Sequence, residues 1–160
     1  MLNRRMERRI TYKNANTLYQ EGKYSDALSL YLQILKMSNP NEKLLLAIAN
    51  CFDHVGNKPE AIKYYKKIFD KNGMCVPAVC NMAIAYYETG EYSLAKKCAR
   101  KALDIDSKNS AANLVLGNIF YQAKEYNKAI GFYEDAIEKT DNLYIPYINI
   151  ANSYIELKEY

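Results

Sequence analysis

Four alanines, Ala27, Ala61, Ala95 and Ala129, stand 34 residues apart with no insertion or deletion between them. The surrounding residues recur as well: Gly22-Lys23-Tyr24 leads into Ala27, Gly90-Glu91-Tyr92 into Ala95 and Lys124-Glu125-Tyr126 into Ala129, while Tyr31, Tyr65 and Tyr133 follow their alanines at one spacing. A fixed period of this length constrains the fold more than composition does. Each unit is too small to bury a core alone, so it must stack on its neighbours.

With the recurrent alanine numbered as position 20, the units run 8–41, 42–75, 76–109 and 110–143, with a partial fifth at 144–160 and a basic lead-in at 1–7. Apolar or small residues fall at positions 4, 7, 8 and 11, as in Leu45, Ile48, Ala49 and Phe52, or Val79, Met82, Ala83 and Tyr86, with departures at Thr11 and Asn14 in the first unit and Asn113 in the fourth. That spacing gathers them on one helical face. Position 15 is Gly22, Gly56 or Gly90, a residue that ends a helix in the left-handed conformation without a Cβ clash; Lys124 and Lys158 replace it later. Position 18, as Ser25, Ser93 or Asn127, is expected to cap a second helix, with Pro59 serving there in the second unit. Second helices are therefore predicted at 25–37, 59–71, 93–105 and 127–139. The linkers Ser38-Asn39-Pro40-Asn41 and Asp106-Ser107-Lys108-Asn109 are short enough to make neighbouring helices antiparallel. Alanines at positions 8 and 20 let the helices approach closely.

Composition removes several function classes. No apolar run reaches the ~18 residues of a membrane span, and Met1 to Ile10 is charged with no apolar leader after it, which points to a cytoplasmic protein if Met1 is the native start. The net charge is +4, and Arg4, Arg5, Arg8 and Arg9 against Glu7 supply 4 − 1 = +3 of it. The rest is nearly neutral, which argues against a broad nucleic-acid face and leaves the arginines as a solvated helical turn or a local anion contact. Cys51, Cys75, Cys80 and Cys98 form no CxxC pair, and His54 is the one histidine, so no metal or cofactor site is expected. Cys51 and Cys98 read as core residues, and Cys80 is expected on the open surface. No glycine-rich phosphate loop is present, and no group is placed for acid–base or nucleophilic catalysis.

The combined pattern of a small residue at 8, a bulky one at 11, Gly at 15, Tyr at 17 (Tyr24, Tyr92, Tyr126, Tyr160), Ala at 20, Tyr at 24 and Ala at 27 (Ala102, Ala136) resembles the tetratricopeptide repeat family over residues 8–160. The family's proline at position 32 is missing: Pro40 lies one place late, and Gly73, Ser107 and Asp141 stand there otherwise. The resemblance implies an all-α, right-handed superhelical solenoid of about four and a half units of antiparallel helix pairs. It also implies that the first helices line a concave groove that binds other proteins.

Helical geometry turns positions 2, 5, 6, 9, 12 and 13 of each first helix away from its packing face. Position 9 reads Asn16, Asn50, Ile84, Asn118 and Asn152, with Asn81 and Asn149 at position 6. Spaced amides both donate and accept, so they could hold a peptide backbone, or they could serve as framework. Leu46, Cys80, Leu114, Val115 and Ile148 are expected between them, with Tyr12, Tyr19, Tyr87 and Tyr121 at the rim, a composition suited to recognition. One subclass of the family holds acidic chaperone tails in a two-carboxylate clamp. Its cationic positions here carry Tyr12, Pro77 and Asn81 in one register and Leu46, Ala111 and Val115 in another, so that partner is disfavoured.

The expected function is non-enzymatic capture of an extended or helical segment of another protein, as a scaffold or adaptor. The competing expectation is a structural element that oligomerises through the fifth unit, whose Tyr147, Ile148, Ile150, Tyr154 and Ile155 make it too apolar for a solvated cap. That apolar end also implies a longer repeat protein or a docked partner. The Lys-, Asn- and Tyr-rich composition suits an AT-rich bacterial source.

Overall fold

The computed structural model describes residues 2–37, 39–138 and 143–158, with side chains from Arg5 onward. Tyr160 at position 17, Asp141 at position 32, Ser38 in the first linker, Lys139 at the predicted end of a second helix and the side chain of Arg4 lie outside the described residues. Among the described residues all regular structure is helical: α1 (Leu2–Gln20), α2 (Tyr24–Met37), α3 (Glu42–His54), α4 (Lys58–Lys71), α5 (Val76–Glu88), α6 (Tyr92–Ile105), α7 (Ser110–Gln122), α8 (Tyr126–Ile137) and α9 (Tyr144–Leu157). None of these is long and apolar enough to cross a membrane. The arrangement is an all-α helical repeat, and the basic lead-in is the beginning of α1.

The helices form two compact units divided after Gly73. In the first, α1 packs on α2, α2 on α3 and α3 on α4. In the second, each helix from α5 to α9 packs on the next, and α5 also touches α7. The small residues make these contacts close. Ala15, Ala27, Ala49 and Ala61 in one unit, and Ala83, Ala95, Ala99 and Ala129 in the other, are fully buried. Larger groups fill the remaining space, with Tyr31, Ile48, Tyr65 and Ile68 buried in the first unit and Val79, Leu116, Phe120 and Tyr133 in the second. Each such side chain contributes ~1.5–3 kcal/mol through loss of apolar surface to water.

The turn after each first helix needs a left-handed residue. Gly22, Gly56 and Gly90 have φ of +75°, +82° and +80°, and Lys124 and Lys158 adopt φ of 61° and 58° at the equivalent place. Nothing lies within 4 Å of a Cβ built on the three glycines, so the requirement is conformational and not one of space. Lys124→Gly should therefore stabilise the protein by up to ~1 kcal/mol, read as a higher denaturant midpoint at unchanged slope. An unchanged midpoint would refute the strain.

The second helices begin one residue before the predicted caps, at Tyr24, Lys58, Tyr92 and Tyr126. Ser25, Ser93 and Asn127 thus sit inside the first turn. Glu91 and Glu125 occupy the cap positions of α6 and α8 without a side-chain cap bond. A negative charge there meets the positive end of the helix dipole. Bonded caps occur elsewhere: Asn57 Oδ1 accepts from the Glu60 amide at 3.3 Å at the start of α4, Asn41 Oδ1 from the Leu44 amide at 2.9 Å at the start of α3, and Asn109 Oδ1 from the Ala112 amide at 3.0 Å at the start of α7.

Candidate functional site

Asparagine at position 9 has a definite partner within its own repeat. The hydroxyls of Tyr31, Tyr65 and Tyr133, at position 24, donate to Oδ1 of Asn16, Asn50 and Asn118 at 2.6, 2.8 and 2.9 Å. The third repeat has Ile84 and Ala99 at these two places, so the amide and the hydroxyl are absent together. Asn118 Oδ1 also accepts from Asn149 Nδ2 at 3.2 Å, tying α7 to α9. Burial, and for Tyr31 the nearby Cys51, holds the hydroxyls of Tyr31 and Tyr133 protonated far above the ordinary tyrosine range. A protonated hydroxyl must donate, and the asparagine oxygen supplies the acceptor.

The remaining predicted residues divide by depth. Tyr12, Tyr19 and Leu46 in the first unit, and Asn81, Ile84, Tyr87, Leu114 and Tyr121 in the second, are half-buried; Asn16, Ile148 and Asn152 are exposed. Tyr87 and Tyr121 lean on Tyr92 and Tyr126, with ring centres 5.5 and 5.4 Å apart. His54, the one histidine of the sequence, is built into the first unit: its Nε2 lies 3.0 Å from the Tyr19 hydroxyl, and its ring stacks on Tyr24 at 4.1 Å. Spacing alone could not reveal this, because Tyr19 and Tyr24 belong to the preceding repeat.

Two expectations are corrected. Cys80 is 5% exposed and Val115 4% exposed, so neither offers a surface to a partner. The Cys80 thiol donates to Asn109 Oδ1 at 3.2 Å, and contact between α5 and α7 closes over these positions. Burial, with Asp106 nearby, raises the Cys80 thiol to about 11, and burial alone raises that of Cys51 to about 11. A folded-state value above the unfolded one favours the folded form below the usual thiol range, and that contribution is lost as pH climbs toward 11. The melting temperature should therefore fall between about pH 9 and 11, and at pH 8 a disulfide reagent should label Cys51 and Cys80 only after denaturant is added. Rapid native labelling of Cys80 would contradict its burial.

Groups that could hold a metal ion are lacking among the described residues. An open concave space of about 550 Å³ lies between α1, the end of α2 and the start of α3. Arg5, Arg8, Arg9, Tyr12, Lys13 and Asn16 line one side, and Ile34, Asn39, Asn41, Lys43 and Leu44 the other.

Sequence models described as tetratricopeptide repeats match residues 18–79 and 80–143. The chain is 26% identical over 139 residues to Photosystem I assembly protein Ycf3 of Rippkaea orientalis, covering 85% of this chain and 69% of that protein. It is 29% identical over 84 residues to Hsp70-Hsp90 organizing protein 1 of Glycine max, covering 52% of this chain but 15% of that one. A solved tetratricopeptide repeat protein from Parabacteroides merdae superimposes with a TM-score of 0.81 at 18% identity, covering 95% of this chain and 59% of that one.

Proposed function

The chain belongs to the tetratricopeptide repeat family, and from that premise we propose that it is a non-enzymatic interaction module that captures a peptide segment of another protein on its first helices. The observation that carries this reading is the half-exposed apolar and tyrosine side chains that the first helices keep at positions 5 and 12: Tyr12, Tyr19 and Leu46 in one unit, Tyr87, Leu114 and Tyr121 in the other. Tyrosine offers contact area at small entropic cost. The position-9 asparagines act as framework, and their amide nitrogens add polar contacts at the edge. Names of relatives that assemble a photosystem or organise chaperones accord with an assembly role, and this chain takes its own partner through the side chains that differ between repeats.

The test is affinity capture with the 160-residue chain, identification of the retained protein, and repetition with Leu46→Ser combined with Tyr121→Ala. Loss of that protein at unchanged melting temperature supports the groove; equal retention removes it. A second reading, self-association through α9, is favoured by the exposure of Ile145, Tyr147 and Ile155 and of Tyr144, which is 73% exposed. Light scattering across a dilution series decides it, since a constant monomer mass eliminates the dimer.

A further inference from the structure

The described arginines at the start of the chain, Arg5, Arg8 and Arg9, are exposed, and they share one side of α1. Arg5, Arg8, Arg9, Tyr12, Lys13 and Asn16 fall at helical spacings of three and four, so they form one continuous stripe along α1. Across the cavity Lys43 adds a fifth cation, and Asn39 and Asn41 add amides. Among the described residues no carboxylate lines the space. Among them, too, none of Arg5, Arg8, Arg9, Lys13 or Lys43 takes part in an ion pair, although Lys23, Lys58, Lys63, Lys108 and Lys128 do. Unpaired cations facing one concavity raise the local potential more than the same charges spread over a convex surface.

We propose that this cavity binds an acidic peptide segment, its carboxylates meeting the Arg5, Arg8, Arg9, Lys13 and Lys43 cations. The inference rests on the peptide-capture reading and adds a partner chemistry and a place. Guanidinium groups take carboxylates in paired hydrogen bonds, which gives register along an extended chain as well as attraction. The volume of about 550 Å³ suits a few side chains. A peptide fits better than a nucleic acid because the chain's net positive charge is concentrated in its first ten residues. The chain's net charge is +4, and +3 comes from its first ten residues, so no basic track continues for a phosphate backbone to follow.

The experiment measures fluorescence anisotropy of a labelled peptide of alternating Glu and Leu titrated with the 160-residue chain. Parallel arms use the Gln-and-Leu peptide, a labelled single-stranded DNA and competition by inorganic phosphate. Saturable binding of the Glu peptide is expected, weakened about tenfold by Arg8→Glu with Lys13→Glu and to a lesser degree by Arg8→Gln with Lys13→Gln. The exposed pair Lys97→Glu with Arg100→Glu, on α6, should leave it unchanged. Equal affinity for the Gln peptide, equal affinity of the Arg8/Lys13 variants, or tighter retention of DNA than of peptide would each overturn the proposal, as would displacement by phosphate at concentrations that leave matched chloride without effect. If the Glu peptide fails while the partner retained by affinity capture is still lost with Leu46→Ser and Tyr121→Ala, the acidic chemistry is wrong and the groove reading survives. If both fail, the groove reading goes with it.

Discussion

Tyr65→Ala is expected to lower the unfolding free energy by ~3–5 kcal/mol, enough to unfold a protein of ordinary stability in part of the population. The side chain is 0% exposed, and two separate losses combine in its removal. Emptying the ring site leaves a cavity between α3 and α4 that the fully buried Ala49 and Ala61 are too short to fill. Removing the hydroxyl takes the donor from Asn50 Oδ1, 2.8 Å away. Tyr65→Phe separates the two, because it keeps the ring and should cost only ~1 kcal/mol. Asn50→Ala should cost a similar amount, and the double variant less than the sum, since each single change already breaks the shared bond. Urea unfolding of the four proteins gives the cycle. Wild-type stability in Tyr65→Phe and strictly additive costs would return Asn50 to the groove as a ligand-binding amide.

How much of this was legible in the sequence depends on how local the signal was. The alternation of helices, the alanine contacts and the left-handed turns were all readable, because the alanine at repeat position 20 and the glycine at repeat position 15 act within one helix pair and return at a fixed period. The spacing misplaces the second-helix starts by one residue, since Ser25, Ser93 and Asn127 look like caps but Glu91 and Glu125 take the cap places of α6 and α8. The role of the asparagines was ambiguous because an amide suits a ligand or a framework equally well. The discriminating signal was nevertheless present: Ile84 and Ala99 lose the amide and the hydroxyl together, which a ligand contact does not require. Counting around one helix puts Cys80 and Val115 on the surface, and packing of α5 on α7 buries them. The basic cavity was out of reach for the same reason, as Asn39, Asn41 and Lys43 come to α1 from the next linker and helix.

Gly117→Ala is the substitution on which repeat averaging and packing disagree in sign. Position 8 is alanine in the other four copies, as Ala15, Ala49, Ala83 and Ala151, and a glycine inside a helix is ~1 kcal/mol worse than alanine, so the consensus change should stabilise α7. A Cβ built on Gly117, however, would lie 2.4 Å from Tyr133 Cε1 and 2.6 Å from Cδ1, closer than side chains tolerate. The ring cannot simply turn aside. Tyr133 is 1% exposed, packs in a cluster with Phe120 and Ala129 bounded by Leu114, Tyr121, Phe132 and Ile150, and donates its hydroxyl to Asn118. Overpacking of this kind costs ~1–3 kcal/mol and sometimes more, so the packing term should exceed the propensity gain and leave the variant less stable by ~1–2 kcal/mol. Combining it with Tyr133→Leu, which removes the atoms in conflict, should cost less than the two changes summed. A Gly117→Ala protein as stable as the wild type would mean that the cluster yields to the methyl group. The displacement also has a functional reading, because Leu114 and Tyr121 border the cluster: moving Tyr133 should disturb the second unit's share of the partner surface, and capture should weaken along with stability. Alanine at position 8 is therefore tolerated only where the tyrosine at position 24 leaves room for it, and in the fourth repeat it does not.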